Sequence, residues 1–134
     1  MDLGISGRRA AVAAGSAGLG YGVAAALAAE GVQVAICVLT HDHKFDVPAI
    51  VGGVATRVGY LGAMGSRRTH DSRLERLREA GLSDDQLARV MSPIGLDVGA
   101  RTPEETAVSI CAEVIAMRTG RRAPSLRDSA GPIH

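Results

Sequence analysis

Residues 8–14 read Arg-Arg-Ala-Ala-Val-Ala-Ala, residues 15–20 Gly-Ser-Ala-Gly-Leu-Gly, and residues 32–39 Val-Gln-Val-Ala-Ile-Cys-Val-Leu, with an Ala-rich stretch between the last two. The first run is short and apolar, as a buried strand is, and the glycines after it punctuate a tight turn. The Ala-rich stretch predicts a helix over about 19–30, closed by Gly31. Residues 32–39 are apolar and rich in β-branched side chains with almost no polar alternation, the pattern of a strand covered on both faces. Strand, helix and strand in that order make a βαβ unit and set the α/β class for the rest of the chain.

Downstream the alternation continues. After the polar break Thr40-His41-Asp42-His43-Lys44, a helix is expected over about 46–54 and a third strand over 58–64, weakened by its glycines. Ser66 is placed to cap a helix over 67–80 that ends at Gly81, with Leu74 and Leu77 on one side; His70 and the arginines of 73–78 read as its wet face. Ser83-Asp84-Asp85-Gln86 has capping-box spacing and starts a short helix that must stop before Pro93, leaving 92–101 as loop or short strand. Thr102-Pro103-Glu104-Glu105 joins an N-cap, a proline at the first helical position and a carboxylate three residues after the cap, so a helix is expected over 103–118. Residues from Arg121 read as extended. The expectation is one small three-layer α/β domain over 1–134, with a mostly parallel sheet of three or four strands.

Composition narrows the function classes. A net charge of +1 with 22% charged residues gives no electrostatic reason for a nucleic-acid partner or an anionic membrane surface. Aromatic residues at 2% leave few platforms on which bases could stack. No run approaches a membrane span and the opening lacks a signal-peptide pattern. Cys37 and Cys111 are too few for a disulfide scaffold or a four-thiolate zinc site, so a reduced, cytoplasmic setting is expected.

The motifs carry two resemblances. Val12 to Gly20, preceded by Met1 to Arg9, resembles the N-terminus of a short-chain dehydrogenase/reductase over residues 1–37. Gly18 and Gly20 match the last two glycines of that family's Thr-Gly-x-x-x-Gly-x-Gly turn, while Ala13 and Ala14 occupy its Thr and first Gly positions. The resemblance implies NAD(P) or another nucleotide on that turn, with the pyrophosphate at the helix N-terminus. The family's Tyr-x-x-x-Lys is missing, since Lys44 is the only lysine and Thr40 stands four positions before it. Its reductase chemistry is therefore not expected.

From Val38 on, the sequence resembles the C-terminal Rossmann-like domain of the XdhC/CoxF accessory proteins. The motifs are Val38 to Asp46, Gly62 to His70, Pro93 to Glu105 and the closing Gly131-Pro132-Ile133-His134. That likeness implies handling of the molybdenum cofactor and its delivery to xanthine dehydrogenase and related hydroxylases. His43 stands where the family has Pro, and the family's N-terminal domain and own Gly-rich first segment are not found. The two likenesses meet within Val34–Leu39, so the chain reads as a chimera, constructed or selected for foldability. On that reading it is a folded hybrid without evolved activity, retaining at most vestigial nucleotide or phosphate binding. A cofactor-delivery module is the alternative, and a nicotinamide-dependent oxidoreductase comes third.

Candidate site residues cluster where strands run into helices, the edge at which open α/β sheets take ligands. They are Gly15, Ser16, Gly18 and Gly20 at the first junction, Thr40 and Asp42 at the second, and Gly65, Ser66, Arg67 and Arg68 at the third. Free N–H groups, a hydroxyl and two guanidiniums at the third junction suit a phosphate-bearing ligand. His41, Asp42 and His43 lack a third partner at a spacing that argues for a metal, and no catalytic constellation can be assembled. Strands that all advance in one direction leave apolar sheet and open edges, so a homodimer is expected, with exchange of residues 1–31 as one way to form it.

Overall fold

The computed structural model describes residues 2–14, 19–40, 42–56 and 58–134. These form two compact units, residues 1–95 and 96–134.

The first unit carries β1 (Arg9–Ala14), α1 (Leu19–Ala29), β2 (Gln33–Val38), α2 (His43–Val54), β3 (Tyr60–Ala63), α3 (Arg67–Glu79), α4 (Asp84–Ala88) and β4 (Val90–Met91). The sheet runs β1-β2-β3-β4 with every neighbouring pair parallel. This is the α/β class and parallel sheet expected from the sequence. β1 pairs with β2, Val12 opposite Ile36, completing the first βαβ unit.

Because the strands follow chain order, right-handed crossovers place successive helices on one face. α1 packs on α2, and α2 on α3. Beneath them Val34, Ile36 and Val38 of β2 and Leu61 and Ala63 of β3 meet Ala49, Ile50 and Val54 of α2 and Leu77 of α3. Ile36, Ile50 and Leu77 are at most 1% exposed, and burying each side chain stabilises the fold by roughly 1.5–3 kcal/mol. Gly53 brings α2 close to the sheet: a Cβ there would stand 3.1 Å from Leu61 Cδ1.

Within the first unit, α2, the fourth strand and the inward side of α3 depart from the sequence expectation. α2 starts at His43 rather than near residue 46, because the Asp42 carboxylate caps it by accepting from the Lys44 amide at 2.9 Å. The fourth strand is Val90–Met91, ahead of the segment expected to hold it, and it pairs with Leu61 and Gly62. Arg73 is not on a wet face. It is 0% exposed, since it lies one turn before Leu77 on the inward side of α3 and finds partners for its guanidinium there. His70 is half-buried, with its Nδ1 enclosed.

The second unit is α5 (Pro103–Thr119) with its flanking segments. Thr102 Oγ1 accepts from the Glu105 amide at 3.1 Å and the Glu105 carboxylate accepts from the Thr102 amide at 3.0 Å, so the expected capping box is formed. Gly120 ends the helix at φ 72°, where a side chain would be strained. A short 3-10 turn over Leu126–Asp128 interrupts the tail that was expected to be extended. The Ser109 hydroxyl donates to the Leu96 carbonyl at 2.6 Å, tying the preceding loop to α5.

Candidate functional site

The C-terminal ends of β2 and β3 lie side by side, because the Met64 amide donates to the Val38 carbonyl at 2.8 Å just where both strands end. That bond brings the second and third junctions of the sequence reading together. Thr40 is half-buried, and its Oγ1 accepts from the Asp42 amide at 3.2 Å. Asp42 is exposed as the cap of α2. Both side chains shape the turn into α2, which begins at this edge.

At the neighbouring junction Gly65 has φ 151°. A Cβ on Gly65 would come within 3.0 Å of Thr69 Cγ2, so this corner admits only glycine without displacement. Ser66 Oγ accepts from the Thr69 amide at 3.1 Å and lies 3.0 Å from Thr69 Oγ1. Its hydroxyl is thus spent on the helix cap. Arg67 and Arg68 are exposed in the first turn of α3. Gly20 lies in the first turn of α1, while Gly15, Ser16 and Gly18 lie outside the described residues.

Behind these junctions sits a polar cluster that the sequence reading missed. Asp46, in the first turn of α2, is 0% exposed. Its Oδ2 accepts from Arg73 Nε at 3.0 Å and pairs with an Arg73 terminal nitrogen at 2.9 Å. The remaining guanidinium hydrogens reach the Met64 carbonyl at 2.8 Å and the Ser92 hydroxyl at 3.0 Å. One arginine therefore ties the start of α2 to the ends of β3 and β4. The i, i+4 spacing of Arg73 and Leu77 was the signal that could have found it. Burial holds the pKa of His70 below its ordinary value; the Asp71 carboxylate opposes that shift and the Arg73 charge adds to it.

In the second unit, a hollow of about 320 Å³ is lined by Val98, Gly99, Ala100, Glu104, Glu105 and Val108. The Glu105 carboxylate there is already engaged by the amides of Arg101, at 2.7 Å, and Thr102, which hold its pKa below the usual carboxylate range. Among the described residues no three His, Cys, Asp or Glu side chains group as metal ligands would. No helix of the described residues is long and apolar enough to cross a membrane.

A parallel sheet in chain order, with helices between its strands, defines a Rossmann-like α/β domain. The model of the XdhC Rossmann domain matches residues 6–114, and the chain belongs to that family. It is 35% identical to the molybdenum cofactor insertion chaperone PaoD of Escherichia coli K12 over 86 residues, 64% of this chain and 27% of PaoD. It is 33% identical to the uncharacterised protein YqeB of the same organism over 81 residues, 60% of this chain and 15% of YqeB. A crystal structure of a xanthine dehydrogenase from Bacillus halodurans is similar at a TM-score of 0.50 and 29% identity, covering 67% of this chain and 25% of that one. The chain thus spans about a quarter or less of each of these proteins.

These likenesses overturn the expectation of a hybrid without evolved activity. The family match starts at residue 6 and crosses β2, where a seam between two unrelated fragments had been read. The apolar pattern of Val34 to Leu39 suits any covered parallel strand, and so it carries no evidence of a join.

Proposed function

We propose that this chain is the Rossmann-like module of a molybdenum cofactor insertion chaperone, acting in the cytoplasm on a xanthine dehydrogenase-like enzyme and catalysing no reaction of its own. The observation that carries the reading is the likeness to PaoD, 35% identity over 86 residues. The family match from residue 6 onward supports residues 6–37 as the opening of this same domain rather than a reductase fragment. The cofactor is cargo. It carries phosphate, and the exposed Arg67 and Arg68 beside the N-terminus of α3 offer the charge and N–H groups to hold it.

Calorimetric titration of the chain with molybdenum cofactor, NAD and NADP tests the reading. The cofactor is expected to bind in the sub-millimolar range and the dinucleotides not to. Arg67→Ala with Arg68→Ala is expected to weaken cofactor binding at least about tenfold, since one charge-assisted hydrogen bond contributes roughly 1.5–3 kcal/mol. Binding of NAD or NADP alone would replace this reading with a nucleotide-dependent one.

A homodimer is a separate proposal, resting on β1. This strand ends the sheet with no partner on its outer side among the described residues, and Ala11 and Ala13 on it are exposed. Light scattering at micromolar concentration is expected to give twice 13.8 kDa; a value of 13.8 kDa would show a monomer.

A further inference from the structure

His43 and Asp46 stand one turn apart at the start of α2, and each has one buried polar atom without a hydrogen-bond partner: Nδ1 of His43 and Oδ1 of Asp46. The two atoms face each other at 3.6 Å. The carboxylate cannot turn away, because Arg73 holds its other oxygen through two contacts at 3.0 and 2.9 Å and is itself anchored on Met64 and Ser92. A buried carboxylate oxygen without a donor is costly, and His43 Nδ1 at 3.6 Å is a nitrogen able to supply one. A shift of about half an ångström closes the contact to hydrogen-bond length. The imidazole must then carry its proton on Nδ1, which leaves Nε2 as a bare acceptor on the ring's other side. The side chain is 29% exposed, and α2 begins at the C-terminal edge of the sheet, where ligands bind.

We infer that His43 is a hydrogen-bond-accepting ligand contact, with Nε2 presented to an N–H, O–H or S–H group of a molecule held at this edge. Asp46 is its positioning residue, and Arg73 fixes Asp46. The same division of labour orients the imidazole of metal sites and of acid–base pairs, where a carboxylate on one ring nitrogen sets the role of the other. The inference concerns the imidazole alone and stands whether or not the bound molecule is the molybdenum cofactor.

The tautomer of His43 decides it. In the ¹⁵N-labelled chain, long-range proton–nitrogen correlations read the two ring nitrogens of neutral His43 separately, with the signals assigned by their loss in His43→Gln. The expected result is a protonated Nδ1 and an unprotonated Nε2. In Asp46→Asn the carboxamide oxygen stays with Arg73 and its NH2 turns to the ring, so the tautomer is expected to reverse to Nε2–H. Diethyl pyrocarbonate, which acylates a bare imidazole nitrogen, is expected to modify His43 several-fold faster in the wild-type chain than in Asp46→Asn. A wild-type His43 protonated on Nε2 overturns the inference, and this measurement needs no variant beyond the assignment. A tautomer unchanged by Asp46→Asn in a folded chain overturns the role of Asp46.

Discussion

Replacing Arg73 by methionine is expected to lower the stability of the chain by about 3–5 kcal/mol, the loss incurred when one partner of a buried ion pair is removed. Methionine fills much of the space, so packing is not what fails. Asp46 at 0% exposure is left as an isolated carboxylate, deprived of two contacts at 3.0 and 2.9 Å. The Met64 carbonyl and Ser92 hydroxyl lose their donors as well. Urea unfolding monitored by circular dichroism measures the loss. The double variant Asp46→Leu with Arg73→Met is expected to recover most of it, because an apolar pair of similar volume is often no less stable than the ions it replaces. A loss below about 1 kcal/mol in the single variant would show that water reaches Asp46 and that the pair is no keystone.

The parts of this fold that the sequence disclosed were those governed by local rules. Ser66, Ser83 and Thr102 each marked a helix start because a hydroxyl at the N-cap has one physical job, and each does it. The covered strand Gln33–Val38 announced itself by lacking polar alternation. Where two signals competed, the reading slipped. The polar run Thr40 to Lys44 read as a break before α2, yet Asp42 within it is the cap of a helix that starts at His43 and carries Pro48 inside it. β4 has two residues, too few for any periodicity to show.

The convergence of the strand-to-helix junctions was legible in the sequence, and the buried polar cluster behind them was not. Thr40 and Asp42 follow β2 and Gly65 and Ser66 follow β3, two parallel neighbours whose C-terminal ends lie side by side. The Asp46–Arg73 pair spans 27 residues, and no local pattern announces a partner so far along the chain. Charge misled as well. Arginine is usually solvated, so a charged residue at an inward-facing helical position reads as surface unless its partner is known.

Gly62 and Gly59, three residues apart in the third strand region, should respond in opposite ways to side chains. A Cβ on Gly62 would stand 2.6 Å from both Cγ1 and Cδ1 of Ile94 and 2.8 Å from the Tyr60 hydroxyl. Valine there adds two further methyl groups to a place that lacks room for the first. Ile94 cannot retreat freely, because its amide donates to the Ala63 carbonyl at 3.1 Å. Gly62→Val is therefore expected to cost up to about 3 kcal/mol by overpacking, with Gly62→Ala costing less. A Cβ on Gly59, by contrast, would meet only the Val34 carbonyl oxygen, at an ordinary 3.9 Å. Gly59→Ala is expected to be neutral or to stabilise by roughly 0.4–1 kcal/mol, through the narrower unfolded ensemble of alanine. Denaturation midpoints of the three variants measure the contrast. Equal midpoints for Gly62→Val and the parent would mean that Ile94 does not pack over β3. The displacement also has a site consequence, since Ile94 lies two residues beyond Ser92, which accepts from Arg73 at 3.0 Å. Pushing this segment outward loosens Arg73, then Asp46, and with them the orientation of His43. In Gly62→Val the Nδ1–H tautomer of His43 is accordingly expected to lose its dominance even where the chain remains folded.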